Sequence, residues 1–136
     1  MAFAELEFKN NQVAVKRKYQ RDTSFLINGD QDQLKQLFLN LFLNSACAMQ
    51  EKGGVLTISL KKEKSKVVVT VKDTGKGIAQ EHLKKVFDPF FTTRPDGNGL
   101  GLSISYRIVE AHKGNIRVQS KVRQWTAFQI SFPTFN

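Results

Sequence analysis

The sequence predicts an α+β fold, a two-layer sandwich in which about three helices cover one face of a mixed sheet of about five strands. Three observations predict it. Several short segments alternate between apolar and polar residues, a long amphipathic segment separates the first strands from the next pair, and a glycine-rich stretch leads into a second amphipathic segment. The 136 residues suit one domain with a real core.

The N-terminal part is predicted to hold two strands and the long helix. Residues 12–18 alternate, and residues 24–28 form a second short strand before an Asn-Gly-Asp turn. Asp30 or Asp32 caps a helix that runs to about Glu51, and two glycines stop it. Its apolar side is predicted to comprise Leu34, Phe38, Leu41, Phe42, Ser45, Ala48 and Met49. The opposite side carries Gln36, Asn40, Asn44, Cys47 and Glu51.

The remaining elements follow from alternation and turn signals. Strands are predicted at 55–61 and 66–73, joined by a lysine-rich hairpin, and the second is apolar enough to be central. A short helix at 79–86 precedes a long loop at 87–102, whose length is typical of a functional segment. A helix at 103–112 and strands at 116–120 and 127–132 complete the domain.

Composition excludes several classes of function. No apolar run is long enough for a membrane helix or a secretion signal, and the single Cys47 fits a reducing compartment. We therefore expect a cytoplasmic domain without membrane contact. One cysteine and two separated histidines, His82 and His112, do not make a zinc site. The net charge of +9 suits a polyphosphate or an acidic partner, whereas scattered lysines without interleaved aromatics argue against nucleic acid.

Four segments have residue patterns suited to nucleotide chemistry. Asn40 and Asn44 lie four apart on the long helix, so their carboxamides share one side and suit Mg²⁺. Asp73 at a strand end, followed by Gly75 and Gly77, suits an amine donor and a close-packed ring. The glycine cluster 97–101 feeds a helix N-terminus, which favours phosphate. Each segment also has a plain reading as a polar surface, a turn or a flexible loop.

The fourth segment, 87–94, contains three phenylalanines and Arg94. The phenylalanines can anchor the loop to the core, and Arg94 can reach a phosphate from there or remain a surface residue.

In this order, the segments resemble the ATP-binding domain of sensor histidine kinases, a family related to DNA gyrase, MutL and ATP-driven chaperones. The matching segments are 40–45, 73–78, 87–91 and 97–102, and the resemblance covers roughly residues 10–135. It implies the Bergerat-type ATP-binding fold with a mobile lid over 87–101. Residues 1–136 are then one catalytic domain of a longer kinase, and 1–10 a remnant of the preceding segment.

The resemblance also implies a role for each matching residue. Asn44 would bind Mg²⁺, Asn40 would support the metal or a phosphate, and Arg94 would act on the phosphates during transfer. The residues implied to contact ATP are Asn44, Asp73, Gly75, Gly77, Ile78, Phe87, Phe91, Thr92, Arg94, Gly97, Gly99, Leu100, Gly101, Leu102 and Thr126. Among them, Asp73 would accept the adenine amine, and Thr126 would help to hold adenine through water.

One departure narrows the function. Hydrolytic relatives carry a glutamate four residues before the metal-binding asparagine, and here that position is Asn40, which is no general base at neutral pH. We therefore expect phosphoryl transfer to a histidine on a separate helical dimerisation domain, and then to a response regulator, with the isolated domain monomeric. Cys47 replaces a basic residue of many relatives, and the usual glycines are missing from 121–125.

Three alternatives remain at this point. A gyrase-type ATPase is one, a nucleotide sensor without phosphotransfer is another, and a nucleic-acid binder is the third. ATP turnover, phosphohistidine formation and salt-sensitive duplex binding, respectively, distinguish them.

Overall fold

A computed structural model describes residues 13–18, 29–89, 91 and 101–134 as one layered α+β unit. The elements are β1 (Val13–Lys18), α1 (Gln31–Ala48), β2 (Gly54–Glu63), β3 (Lys66–Asp73), α2 (Gln80–Leu83), α3 (Gly101–Ala111), β4 (Asn115–Lys121) and β5 (Trp125–Pro133). The sheet order is β1-β2-β3-β5-β4, with β1 parallel to β2 and all other pairs antiparallel. The predicted α+β class with a five-stranded mixed sheet is confirmed.

The core lies between the inner face of the sheet and the helices α1 and α3. β3 is the central strand, as the sequence predicted, and its alternate residues Val67, Val69 and Val71 are buried. Phe128 and Ile130 of β5 lie beside them and are fully buried. Because the inner positions of β3 end at Asp73, the same alternation that builds the core also carries a carboxylate to the end of the sheet.

Helix α1 begins as predicted and ends earlier. The Asp30 carboxylate caps it by accepting the backbone N–H groups of Asp32 and Gln33 at 2.9 and 3.1 Å. The helix ends at Ala48 rather than near Glu51, because Gly53, at φ 68°, donates its N–H to the Met49 carbonyl at 2.8 Å and closes a turn.

The buried face of α1 is centred differently from the predicted one. Leu37, Leu41, Ser45 and Ala46 are its buried residues. Leu37, which the prediction omitted, is wholly buried, and Phe38 and Phe42 pack only partly against the core. The four-residue spacing of Leu37, Leu41 and Ser45 places them on one line along the helix, and this line faces the sheet.

Other element boundaries differ by a few residues. The short helix predicted at 79–86 is Gln80–Leu83, followed by tight turns in which Lys85 and Asp88 donate to carbonyls three residues earlier, each at 2.9 Å. The last helix begins at Gly101 instead of residue 103, and β2, β4 and β5 each extend beyond the predicted bounds. The strand predicted at 24–28 lies outside the described residues. None of the described helices is long and apolar enough to cross a membrane.

His112 joins the C-terminal end of α3 to the N-terminal end of α1. Its Nε2 accepts the backbone N–H of Asp30 at 3.0 Å, and its Nδ1 lies 2.7 Å from the Ile108 carbonyl. Since a carbonyl only accepts, Nδ1 carries the proton and the ring is neutral. His112 thus forms a hydrogen-bonded bridge between the two helices.

We expect His112→Ala to lower the free energy of unfolding by about 2 kcal/mol, because it removes two hydrogen bonds and the ring contact with Phe132. Urea unfolding measures the loss. Glu110→Ala, an exposed change on the same helix, should stay within about 0.5 kcal/mol of the parent. Equal effects of the two substitutions would contradict the bridging role.

Candidate functional site

Three of the predicted site segments converge at one end of the sandwich. The second half of α1 contributes Asn40 and Asn44, β3 ends there with Asp73, and α3 begins there with Gly101. Asn40 Nδ2 donates to the Gly101 carbonyl at 3.2 Å, so the asparagine segment and the end of the glycine cluster are in contact across 61 residues of sequence. Thr126 of β5 is the direct strand partner of Asp73.

Asp73 is a buried carboxylate. Its residue is 1% exposed, and its Oδ1 accepts the backbone N–H of Gly75 at 2.9 Å. Burial raises the pKa of Asp73 from 3.8 to about 6, while the Gly75 N–H and the nearby Ser45 hydroxyl lower it in part. At neutral pH the group is therefore an ionised acceptor, with the lone pairs of Oδ2 left for a donor such as an exocyclic amine.

Ser45 is a polar site residue that the sequence analysis placed in the apolar stripe. Its residue is fully buried, and its Oγ has no hydrogen-bond partner among the described residues, although it lies near enough to Asp73 to lower the pKa of that carboxyl. Buried hydroxyls are normally paired with protein, water or ligand. A single serine in the buried line of α1, next to Asn44, was the signal available in the sequence.

The raised pKa of Asp73 predicts a pH-dependent stability. The folded chain keeps a proton that the unfolded chain releases, so this stabilisation is complete below about pH 4 and is lost as the pH rises through about 6. We expect the ligand-free domain to lose roughly 1.5 kcal/mol from this source between pH 5 and 7.5. Urea unfolding of the parent and of Asp73→Asn at both values isolates the contribution. An identical pH dependence in the two proteins would contradict it.

Gly75 and Gly77 are explained first by the packing of the chain on itself. A Cβ on Gly75 would lie 2.6 Å from the Ala48 carbonyl oxygen. One on Gly77, which has φ +72°, would lie 2.4 Å from the Lys121 carbonyl oxygen. The loop is held between the end of α1 and the β4–β5 hairpin, where Arg123 N–H donates to Lys76 O at 2.6 Å. Their contact with a nucleotide ring stays a prediction.

The hairpin without its usual glycines still forms a tight turn. Arg123 takes the left-handed conformation, with φ 66°, where glycine is favoured, and Gln124 donates to the Lys121 carbonyl at 2.9 Å. The tight turn at 121–125 therefore forms without those glycines.

Asn40 and Asn44 differ in their surroundings. Asn40 uses both ends of its amide, since Oδ1 accepts from Gln36 Nε2 at 2.9 Å and Nδ2 donates to Gly101. Asn44, one turn later, is half-buried, and its side chain makes no hydrogen bond with a described residue. No group of three or more His, Cys, Asp or Glu side chains within the described segments could hold a metal. A cation at Asn44 would therefore need further oxygens from water or from a bound phosphate compound.

The aromatic segment is anchored through Phe87. Its ring lies 6.3 Å from that of Phe128, edge-on, and 5.5 Å from that of Tyr106. Phe91 lies 5.4 Å from the His82 ring instead, outside the core. Phe87 thus anchors the start of the predicted lid.

Leu102 packs against the core, and Ile78 donates its N–H to Ser120 Oγ at 2.7 Å.

Several predicted residues lie outside the described part of the chain. They are Thr92, Arg94, Gly97, Gly99 and Leu100. The lid prediction therefore rests on its two ends, Phe87 and Gly101. Apart from Gly101 itself, its two chain neighbours and the nearby backbone of its own helix, no described atom lies within 4 Å of the position that a Cβ on Gly101 would occupy.

The family whose profile matches residues 29–136 is described as histidine kinase-, DNA gyrase B-, and HSP90-like ATPase. The chain belongs to this family. It is therefore an ATP-binding domain, and its relatives and structural neighbours place it among the catalytic domains of sensor histidine kinases. This agrees with a site that combines a buried carboxylate, two asparagines one helical turn apart and a helix that begins at a glycine.

Three similar proteins illustrate the relationship. Sporulation kinase A of Bacillus subtilis (strain 168) is 42% identical over 132 residues, which are 97% of this chain and 22% of that protein. The catalytic domain of histidine kinase ThkA has 29% identity and a TM-score of 0.82, covering 98% of this chain and 86% of that one. Full-length ShkA in complex with AMPPNP has 29% identity and a TM-score of 0.76, covering 98% and 29%. The chain thus spans about a fifth of the length of sporulation kinase A.

Proposed function

We propose that this domain binds Mg²⁺-ATP and donates the γ-phosphoryl group to a histidine on a separate helical dimerisation domain. The phosphoryl group would then pass to a response regulator. The observation that carries the proposal is the buried Asp73 carboxylate, which accepts the Gly75 N–H and lies beside Thr126. It stands at the end of the sandwich where Asn40, one helical turn before Asn44, contacts Gly101. We place the domain in the cytoplasm, where ATP is available. We expect the isolated domain to be monomeric, because dimerisation belongs to the separate helical domain.

The site residues divide between the base, the metal and the phosphates of ATP. Asp73 accepts the adenine amine, and Gly75, Gly77, Ile78 and Thr126 line the base site. Asn44 offers its carboxamide oxygen to Mg²⁺, which when bound offsets the charge of the phosphates. Residues from Phe87 to Gly101, with Leu102 beyond them, form the lid, and Arg94 with the cluster at Gly97, Gly99 and Leu100 contacts the phosphates.

Asn40 favours transfer to a histidine over hydrolysis. A carboxamide does not take a proton from water at neutral pH, and both ends of this amide are already used by Gln36 and Gly101. The chain therefore contributes positioning and electrostatic stabilisation, while the acceptor histidine and its activating base come from the other domain.

The test uses the domain joined to the histidine-bearing helical domain of a sensor histidine kinase. With γ-labelled ATP and Mg²⁺ we expect an acid-labile, base-stable phosphoryl label on the fused protein and negligible phosphate release by the isolated domain. Steady release without a labelled histidine would favour the ATPase alternative. Nucleotide binding with neither reaction would favour the nucleotide sensor.

A further inference from the structure

The Ser120 hydroxyl, near the end of β4, is the centre of a buried hydrogen-bond cluster. It receives the backbone N–H of Ile78 at 2.7 Å, lies 2.8 Å from the Trp125 carbonyl, and lies 2.8 Å from Thr126 Oγ1. Ser120 is 9% exposed and Thr126 is 3% exposed. The cluster therefore connects the loop after β3 to the β4–β5 hairpin and to the side chain opposite Asp73.

The direction of each hydrogen bond follows from the atoms present. A serine hydroxyl has one proton and two lone pairs. The Trp125 carbonyl only accepts, so the Ser120 proton goes to it. The Ile78 N–H only donates and fills one lone pair. The contact with Thr126 Oγ1 is then made by the Thr126 proton, which fills the second lone pair.

Thr126 consequently has no proton left for any other partner. Its Oγ1 therefore offers only lone pairs to the space beside Asp73. Asp73 is the residue opposite Thr126 in the β3–β5 pair, and both side chains lie on the inner face of the sheet. Above the pKa of Asp73, the two neighbouring side chains are then both hydrogen-bond acceptors. Such a pair suits an amino group, which donates two protons, and disfavours a carbonyl, which donates none.

We propose that Ser120 is a positioning residue that sets base specificity by holding the proton of Thr126 away from the nucleotide. The site thereby accepts a purine with an exocyclic amine facing Asp73 and Thr126, and rejects a purine with an oxo group at that position. This inference rests on the proposed ATP-binding function. Without the Ser120 hydroxyl, Thr126 regains a proton that it can donate to an oxo group.

The experiment compares ADP with inosine 5′-diphosphate, which carries an oxo group in place of the adenine amine, in calorimetric titrations of the intact chain. We expect the parent to prefer ADP and Ser120→Ala to narrow that preference about five- to tenfold, which corresponds to one hydrogen bond. Ser120→Thr keeps a hydroxyl and should keep the preference. Gln119→Ala, an exposed neighbour whose side chain lies on the opposite face of β4, should also keep it.

A purely structural role of Ser120 would weaken both nucleotides equally and leave their ratio unchanged, and this result would overturn the inference. A parent chain that binds ADP and inosine diphosphate equally would overturn it as well, while leaving ATP binding intact. Absence of any ADP binding by the folded parent would instead overturn the proposed function, and this inference with it.

A second variant covers the case in which Ser120→Ala fails to fold. Thr126→Val removes the acceptor without freeing a proton, so ADP should bind several-fold more weakly while inosine diphosphate is little affected. Equal losses for the two nucleotides would again overturn the inference.

Discussion

Asp73→Asn should bind ADP about 10- to 100-fold more weakly than the parent chain, since a hydrogen bond to a charged group contributes about 1.5–3 kcal/mol. The amide oxygen can still accept the Gly75 N–H that now reaches Oδ1 at 2.9 Å. The amide nitrogen, however, replaces a lone pair with protons and would face the protons of the adenine amine. Calorimetric titration with ADP and with inosine diphosphate measures both the loss and the expected reversal of preference.

The stability of this variant makes the result interpretable. Because burial disfavours the ionised carboxyl, Asp73→Asn should be at least as stable as the parent at neutral pH. A binding loss in a more stable protein cannot be attributed to unfolding. Asp32→Asn, an exposed change in the first turn of α1, is the matched control and should leave binding unchanged. Parent-like ADP affinity in Asp73→Asn would contradict the adenine assignment.

Asn44→Ala should abolish the part of nucleotide affinity that depends on Mg²⁺, an expected loss of about 10- to 100-fold in the presence of the metal. The half-buried carboxamide is free of hydrogen bonds with described residues, so its removal should leave the fold intact. Titrations with and without Mg²⁺ separate the metal-dependent from the metal-independent affinity. Chelation should bring the parent down to the level of the variant.

Asn115→Ala is the control for Asn44→Ala, because Asn115 is an exposed asparagine at the start of β4. It should retain the full response to Mg²⁺. If Asn44→Ala also retained it, the metal would have to bind elsewhere, and the assignment of Asn44 would be wrong.

The layered fold could be predicted because local signals and the core agree. Asp30 was one of two predicted caps and is the cap observed, and the apolar character of 66–73 predicted the central position that β3 takes in the sheet. These features depend on periodicity and on capping chemistry, which are readable within a few residues.

Element ends were predicted less well, because they depend on contacts beyond the local sequence. Helix α3 starts at Gly101, whose carbonyl accepts from Ser105 Oγ at 2.8 Å within the helix and from Asn40 across 61 residues. Glycine has a low intrinsic helix propensity, so the sequence alone favoured a later start. The early end of α1 likewise depends on the turn closed by Gly53.

The candidate site also contains residues that could be predicted from the sequence and residues that could not. The asparagines, Asp73 and the end of the glycine cluster could be predicted from residue type and order. Ser45 and Ser120 could not, because their importance comes from their position beside Asp73 and from the hydrogen bonds that meet at Ser120. Ser120 does continue the inward alternation of Ile116 and Val118, so a polar residue at an inner position was the available signal.

The most direct test of the central claim is a calorimetric titration of the purified chain with ADP and with a non-hydrolysable ATP analogue, each with and without Mg²⁺. The claim predicts saturable binding of both nucleotides that tightens when Mg²⁺ is present. A folded chain that gives no binding at millimolar nucleotide, with or without the metal, would contradict it.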